Sequence, residues 1–155
     1  MISLAQGLMA ASAAMAFSMG TGHLWLTFAS RKFHPRDPQT EVRMKQDAPQ
    51  LTRRTSMWNA WIGFNGSHSM GPMLFGAIYA YLALFHGAML FASTFLLGLG
   101  LLTLLGYLVL GLRYWFRMPV TGLLIATACY LGAIAVAPVG ATVARTQSGS
   151  HSIPE

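Results

Sequence analysis

Four long apolar stretches, with nearly every Lys and Arg gathered on one side of them, constrain this chain more than any other feature. Residues 2–30, 57–86, 89–112 and 119–141 each match or exceed the roughly 20 residues that a helix needs to cross the hydrocarbon of a bilayer. The expected fold class is all-α, a four-helix transmembrane bundle forming a single integral membrane domain over 1–155. Composition agrees: 54% of residues are apolar and 9% charged, against about 25% charged in an ordinary soluble domain. Only the connection 31–56 is long enough to make a sizeable extramembrane piece.

Lys and Arg in short loops set the orientation of a membrane chain. With four spans, the 31–56 connection and the 113–118 turn share one side and carry Arg31, Lys32, Arg36, Arg43, Lys45, Arg53, Arg54, Arg113 and Arg117, against Arg145 alone on the other. This bias predicts a cytoplasmic basic loop and both termini on the outer, periplasmic side. Trp25, Trp58, Trp61 and Trp115 fall near the cytoplasmic ends of their spans, where amphipathic rings prefer the interface.

Residues 1–22 lack a positive n-region, and their cations follow the apolar run instead of preceding it, so this segment is expected to be retained as a span and not cleaved as a signal. The net charge of +6 reads as topology and as attraction to anionic lipid headgroups. Nucleic acid is not an expected partner, because the basic loop carries no recognition motif and no aromatic residue between Arg36 and Arg54. A single cysteine, Cys129, excludes an internal disulfide and a cysteine-based metal cluster within one chain.

The first span is rich in Ala, Gly and Ser, which let a neighbouring backbone approach closely. Met15, Met19 and His23 recur every four residues on one face. Soft metals such as copper use these donors, but methionine is also an ordinary gap-filler. In the connection, Pro35, Pro38 and Pro49 discourage a continuous helix, so 31–56 is expected to be a solvated loop, the alternative being about two helical turns over 40–48 lying on the membrane surface. The third span is Leu-rich and nearly featureless apart from Tyr107, and it ends in an Arg113-Tyr114-Trp115-Phe116-Arg117 anchor. Pro119 suits the first turn of the fourth span, Pro138 is expected to bend its outer end, and the polar tail 146–155 is expected to be disordered.

The second span carries the unusual chemistry. Asn59, Asn65, Ser67, His68 and Ser69 lie within eleven residues, a set of dipoles that hydrocarbon does not tolerate unless it faces protein or water. Trp61, Asn65, His68 and Pro72 share one helical stripe, and Pro72 deprives the His68 carbonyl of its helical N–H partner. At 1.5 Å per residue, His23 lies about 10 Å from the cytoplasmic end of its span, and Asn65 and His68 about 12 and 16 Å from theirs. His23 and Asn65 are thus level, with His68 a turn deeper. A small polar site between the first two spans follows, walled by Trp61, Phe64 and Met19.

Three uses of that site stay open. The polar groups bond one another and fix helix register; His23 and His68 ligate a b-type haem; or Asn65 and His68 donate to a quinone carbonyl, or hold a lipid headgroup, while Trp61 stacks. His86 is expected to be an exposed histidine at the opposite interface. No span contains Asp or Glu, which removes intramembrane carboxylate catalysis and carboxylate-based pumps but leaves a histidine relay open. Ser67-His68-Ser69 is not a nucleophilic triad, because adjacent helical residues diverge and no acid orients the imidazole.

The run Trp58-Asn59-Ala60-Trp61-Ile62-Gly63-Phe64-Asn65-Gly66-Ser67-His68-Ser69, with the Leu-rich third span and the Arg113–Arg117 turn after it, resembles an uncharacterised family of small bacterial four-span membrane proteins over roughly residues 53 to 135. The resemblance implies a multi-pass protein of the bacterial inner (cytoplasmic) membrane with the same helix count, and it brings no catalytic, metal or binding residue. The expected function is that of a non-catalytic accessory, scaffolding or small-ligand-binding subunit, partnered by lipid and by other membrane subunits or its own copies. The alternatives are a haem- or quinone-binding redox protein using His23, Asn65, His68 and Trp61, and an oligomeric channel or carrier.

Overall fold

The computed structural model describes residues 2–137, so Pro138, the outer end of the expected fourth span and the tail 146–155 lie outside the described residues. Among the described residues the chain is all helical, with no strand. Its elements are α1 (Leu4–Ala29), α2 (Pro38–Gln46), α3 (Met57–Phe85), α4 (Gly87–Ala92), α5 (Thr94–Tyr114) and α6 (Arg117–Val136). Three of these, α3, α5 and α6, are long and apolar enough to cross a membrane. Helix α1 has the length, with 26 residues, but its apolar run is interrupted by Gln6, His23 and several Gly, Ser and Thr residues, and it is not among those three.

Local chemistry sets the helix boundaries. Ser3 and Gln6 form a reciprocal capping box at the start of α1: Ser3 N–H donates to Gln6 Oε1 (2.9 Å) and Gln6 N–H to Ser3 Oγ (3.2 Å). Helix α3 occupies the expected second span to within a residue, and Ser56 Oγ caps it by accepting from Asn59 N–H. Pro72 lies inside α3 without ending it. Helix α6 starts at Arg117, which puts Pro119 in the first turn, where its missing N–H costs nothing.

Two expectations need correction. The connection 31–56 is not simply a solvated loop, for it contains the nine-residue α2. Asp37 caps this helix by accepting from Gln39 N–H and Thr40 N–H, and Pro38 takes the first helical position, so the proline that reads as a breaker is a helix starter. The stretch 89–112 is not one helix either. The chain turns at Ser93, whose extended backbone ends α4 and whose Oγ accepts from Leu96 N–H to open α5; a serine N-cap inside an apolar run is easily read as an ordinary helical residue.

The chain divides into two compact units, with α1 and α3 each contributing residues to both. The first, 2–16 and 75–137 of the described residues, has a core of Met9, Ala13, Ala16, Phe75, Tyr79, Ala83, Leu90, Leu104, Ala126, Tyr130 and Ala133. Its many alanines allow close helix approach, and Met15 packs against this core. Two phenols anchor α5: Tyr79 Oη donates to Leu96 O (2.6 Å) and Tyr130 Oη to Leu97 O (2.9 Å). Gly100 makes room for them, since a Cβ there would collide with both hydroxyls. Gln6 Nε2 donates to Ala83 O (2.9 Å). Outward, α5 and α6 present Phe95, Leu102, Val109, Leu112, Leu124 and Leu131 as exposed side chains.

The second unit is Phe17–Leu74. Here α1 meets α3 closely at Gly20, where an added Cβ would lie 2.8 Å from Ser69 O and 3.0 Å from Met73 N. This contact flanks Pro72 and leads directly to the polar side chains below.

Candidate functional site

Asn65, Ser67 and Ser69, among the polar residues of α3 that hydrocarbon rejects, find hydrogen-bond partners. Asn65 is 5% exposed. Its Nδ2 donates to Trp61 O (2.8 Å), which leaves Oδ1 turned toward His23 Nε2 at 3.2 Å. A carboxamide oxygen only accepts, so the Nε2 of His23 carries the proton and donates. The bonding continues along both helices, with Thr27 Oγ1 donating to His23 O (2.8 Å) and Ser69 Oγ to Asn65 O (2.8 Å).

Aromatic contacts surround this bond. The His23 ring meets His68 edge-on at a centroid distance of 5.4 Å and tilts against Phe33 at 4.5 Å. Phe64 stacks on His68 at 5.9 Å. The Trp61 indole donates to Phe33 O (3.0 Å), which ties the loop after α1 back to α3.

The sequence expectation placed His23, Asn65, His68 and Trp61 in one site, and the structure brings all four together. His23 and Asn65 bond, His68 contacts His23, and Trp61 takes part through its carbonyl and its indole N–H. Ser67 does not join, since its hydroxyl donates back to Phe64 O and it is exposed.

The arrangement does not suit the haem scheme. Rings of His23 and His68 that touch edge to face leave no slot for a porphyrin between them, and His23 Nε2 is engaged by Asn65. The quinone scheme needs Asn65 beside His68 as a donor, whereas the buried Asn65 carboxamide bonds Trp61 O and His23. For the copper scheme, Met15 packs into the core of the first unit. Among the described residues no three His, Cys, Asp or Glu gather closely enough to hold a metal ion. His86 is exposed at the start of α4, and its Nε2 lies 3.1 Å from Tyr81 Oη.

An ionic cluster in the connection was not anticipated. Glu41 of α2 accepts from Lys45 Nζ (2.6 Å) and His34 Nδ1 (3.0 Å), with Arg31 at 3.7 Å. Hydrogen bonds from Lys45 and His34 pull its carboxyl down to about 2, and Asp37 is likewise lowered by the Thr40 hydroxyl and the first-turn N–H groups of α2. Trp58, at the start of α3, packs edge-on against His34 at 4.8 Å and lies under Lys45 Nζ at 5.3 Å. The i, i+4 spacing of Glu41 and Lys45 was a legible signal for a helix here; the arrival of His34 and Trp58 depends on the fold of the connection.

Set against protein-family models, curated proteins and solved structures, the chain matches none.

Proposed function

We propose that this protein is a four-span, all-α integral protein of the bacterial inner membrane, with the basic connection between α1 and α3 in the cytoplasm. It serves there as a non-catalytic accessory or scaffolding subunit. In this reading α1 is the fourth span and the His23–Asn65–His68 cluster locks helix register, with no cofactor bound. One observation carries the proposal: Asn65 is buried and both ends of its carboxamide are engaged by the protein itself, His23 on one side and Trp61 O on the other. A polar site built to hold a ligand keeps a donor or acceptor turned toward open space.

Three apolar helices with exposed Leu, Phe, Ile and Val side chains support the membrane setting. The distribution of Lys and Arg supports the orientation. Mild-detergent purification with in-membrane cross-linking tests the function. Co-purification with a larger complex is expected, whereas repeated isolation as a lone monomer, or a preparation carrying haem or quinone, overturns the reading. For orientation, Gln46→Cys in a Cys129→Ala background should react with an impermeant maleimide only after the cytoplasmic side is opened.

A further inference from the structure

The short segment between α1 and α2, the helix α2 itself and the first turns of α3 border an open-mouthed cavity of about 410 Å³, lined by Lys32, Phe33, His34, Pro35, Met44 and Trp61. Its wall is largely apolar and its rim is cationic. Lys32 stands on the wall, and Arg31 and Arg36 are exposed beside it in sequence. No carboxylate lines it. Glu41 and Asp47 each stand three residues from Met44; Glu41 is held by Lys45, His34 and Arg31, and Asp37 accepts from the first-turn N–H groups of α2. The connection 31–56 carries seven Lys and Arg against three acids, Asp37, Glu41 and Asp47, so the charge around the rim is net positive. Trp61 cannot swing away freely, because its indole N–H is tied to Phe33 O.

The geometry points to this cavity as a binding site for an anionic phospholipid, with the phosphate at Lys32 and the glycerol and upper acyl chain against Phe33, Met44 and Trp61. The inference rests on the proposed membrane reading, which puts the segment at the cytoplasmic interface, where anionic headgroups concentrate. An amphiphile fits better than a soluble anion. One ammonium at an open surface holds free phosphate weakly, while the apolar wall has value only for a ligand with a tail. Phe64, three residues beyond Trp61 on the same helix and 64% exposed, extends that wall by a turn toward the hydrocarbon.

The test uses the full chain in phosphatidylcholine bilayers holding a minor fraction of either phosphatidylglycerol or phosphatidylcholine with dibrominated acyl chains, which quench nearby tryptophan. The contribution of Trp61 is isolated by comparison with Trp61→Phe. Brominated phosphatidylglycerol should occupy the site about fivefold more than its zwitterionic counterpart, the preference expected from one juxtamembrane cation, and Lys32→Gln should bring the ratio close to one. Lys32 is exposed, and its N–H bond to Ser30 Oγ is made by the backbone and is kept on substitution, so the variant isolates charge. Equal quenching by both lipids, or a preference that survives Lys32→Gln, overturns the site. Inorganic phosphate is added to phosphatidylcholine-only bilayers as a separate arm; Lys32-dependent thermal stabilisation there would assign the cavity to free phosphate and overturn the lipid reading. Loss of quenching by either brominated lipid at every tryptophan would instead sink the membrane reading, and the site with it.

Discussion

Asn65 shows why a polar side chain is retained in an apolar helix: it is bonded on both sides, so removing either partner leaves a buried dipole unmet. A double-mutant cycle over His23→Ala and Asn65→Ala, read from unfolding in detergent, should give a coupling of about 0.6 kcal/mol and no more than about 1.7, the average and the maximum for interhelical hydrogen bonds in membranes. Additive single effects would show that the bond contributes nothing. Gly20 and Gly22 make a second pair. A Cβ at Gly20 would press on Ser69 O and Met73 N, backbone atoms that cannot rotate away, whereas one at Gly22 meets nothing within 4 Å. Gly20→Ala should therefore destabilise by about 1–3 kcal/mol, and Gly22→Ala should leave the midpoint unchanged or slightly raised; similar effects of the two would contradict the close approach. In the sequence these glycines look alike. His23, Asn65 and His68 were legible, because imidazoles and amides stand out in an apolar run and helical spacing says which share a face. Phe33 was not, since it enters the site through its carbonyl and ring from a loop whose path no periodicity describes.

Among the helices, legibility followed the length of the apolar run. Helix α3 was readable almost to the residue, while the break at Ser93 was missed and α2 was foreseen only as two turns allowed to 40–48, because each depends on one capping side chain. Prolines 35, 38 and 49 were all read as breakers, although Pro38 begins a helix. What holds α2 to the start of α3 is the group Glu41, Lys45, His34 and Trp58, and this gives the helix a defined response to acid. The folded-state value of Glu41 is depressed from 4.5 to about 2. Its contribution is thus complete above 4.5 and is lost as pH falls toward 2, when the carboxyl takes up a proton and releases Lys45 and His34. Trp58 fluorescence reports the release, and because three other tryptophans emit, its share is read as the difference from Trp58→Phe. A transition confined to that acidic window is expected in the native chain and should be absent in Glu41→Gln. A transition that persists in the variant would assign the change to another group.

Across the chain, the helices differ in how much they depend on one another to enter a bilayer. Helix α5 is the most self-sufficient: it is strongly apolar, little of it is buried, and its outward residues ahead of Arg113 and Tyr114 are mostly Leu, Phe and Val. Helix α1 is the opposite case. It has the length for a span, yet it carries Gln6, Ser12, Ser18, Thr21, His23 and Thr27 among many Ala and Gly residues, and small or polar residues gain little from transfer into hydrocarbon. Its most polar side chains are satisfied by α3 in both units, Gln6 by the Ala83 carbonyl and His23 by Asn65. In isolation those partners are missing, and each unmet polar group weighs against insertion. Insertion of α1 should therefore be conditional on α3, while α5 inserts on its own. The comparison is direct: α1 alone, α1 followed by the chain through α3, and α5 alone are each tested in membrane vesicles with glycosylation or protease-protection reporters at both ends. Most of the α5 segment should integrate. Less of α1 should do so alone than when α3 follows it, and Asn65→Leu in the longer segment should take back part of that gain by removing the acceptor for His23. Integration of α1 alone as complete as that of α5 would mean that its polar residues do not need α3, and the buried cluster would then have no part in assembling the fold.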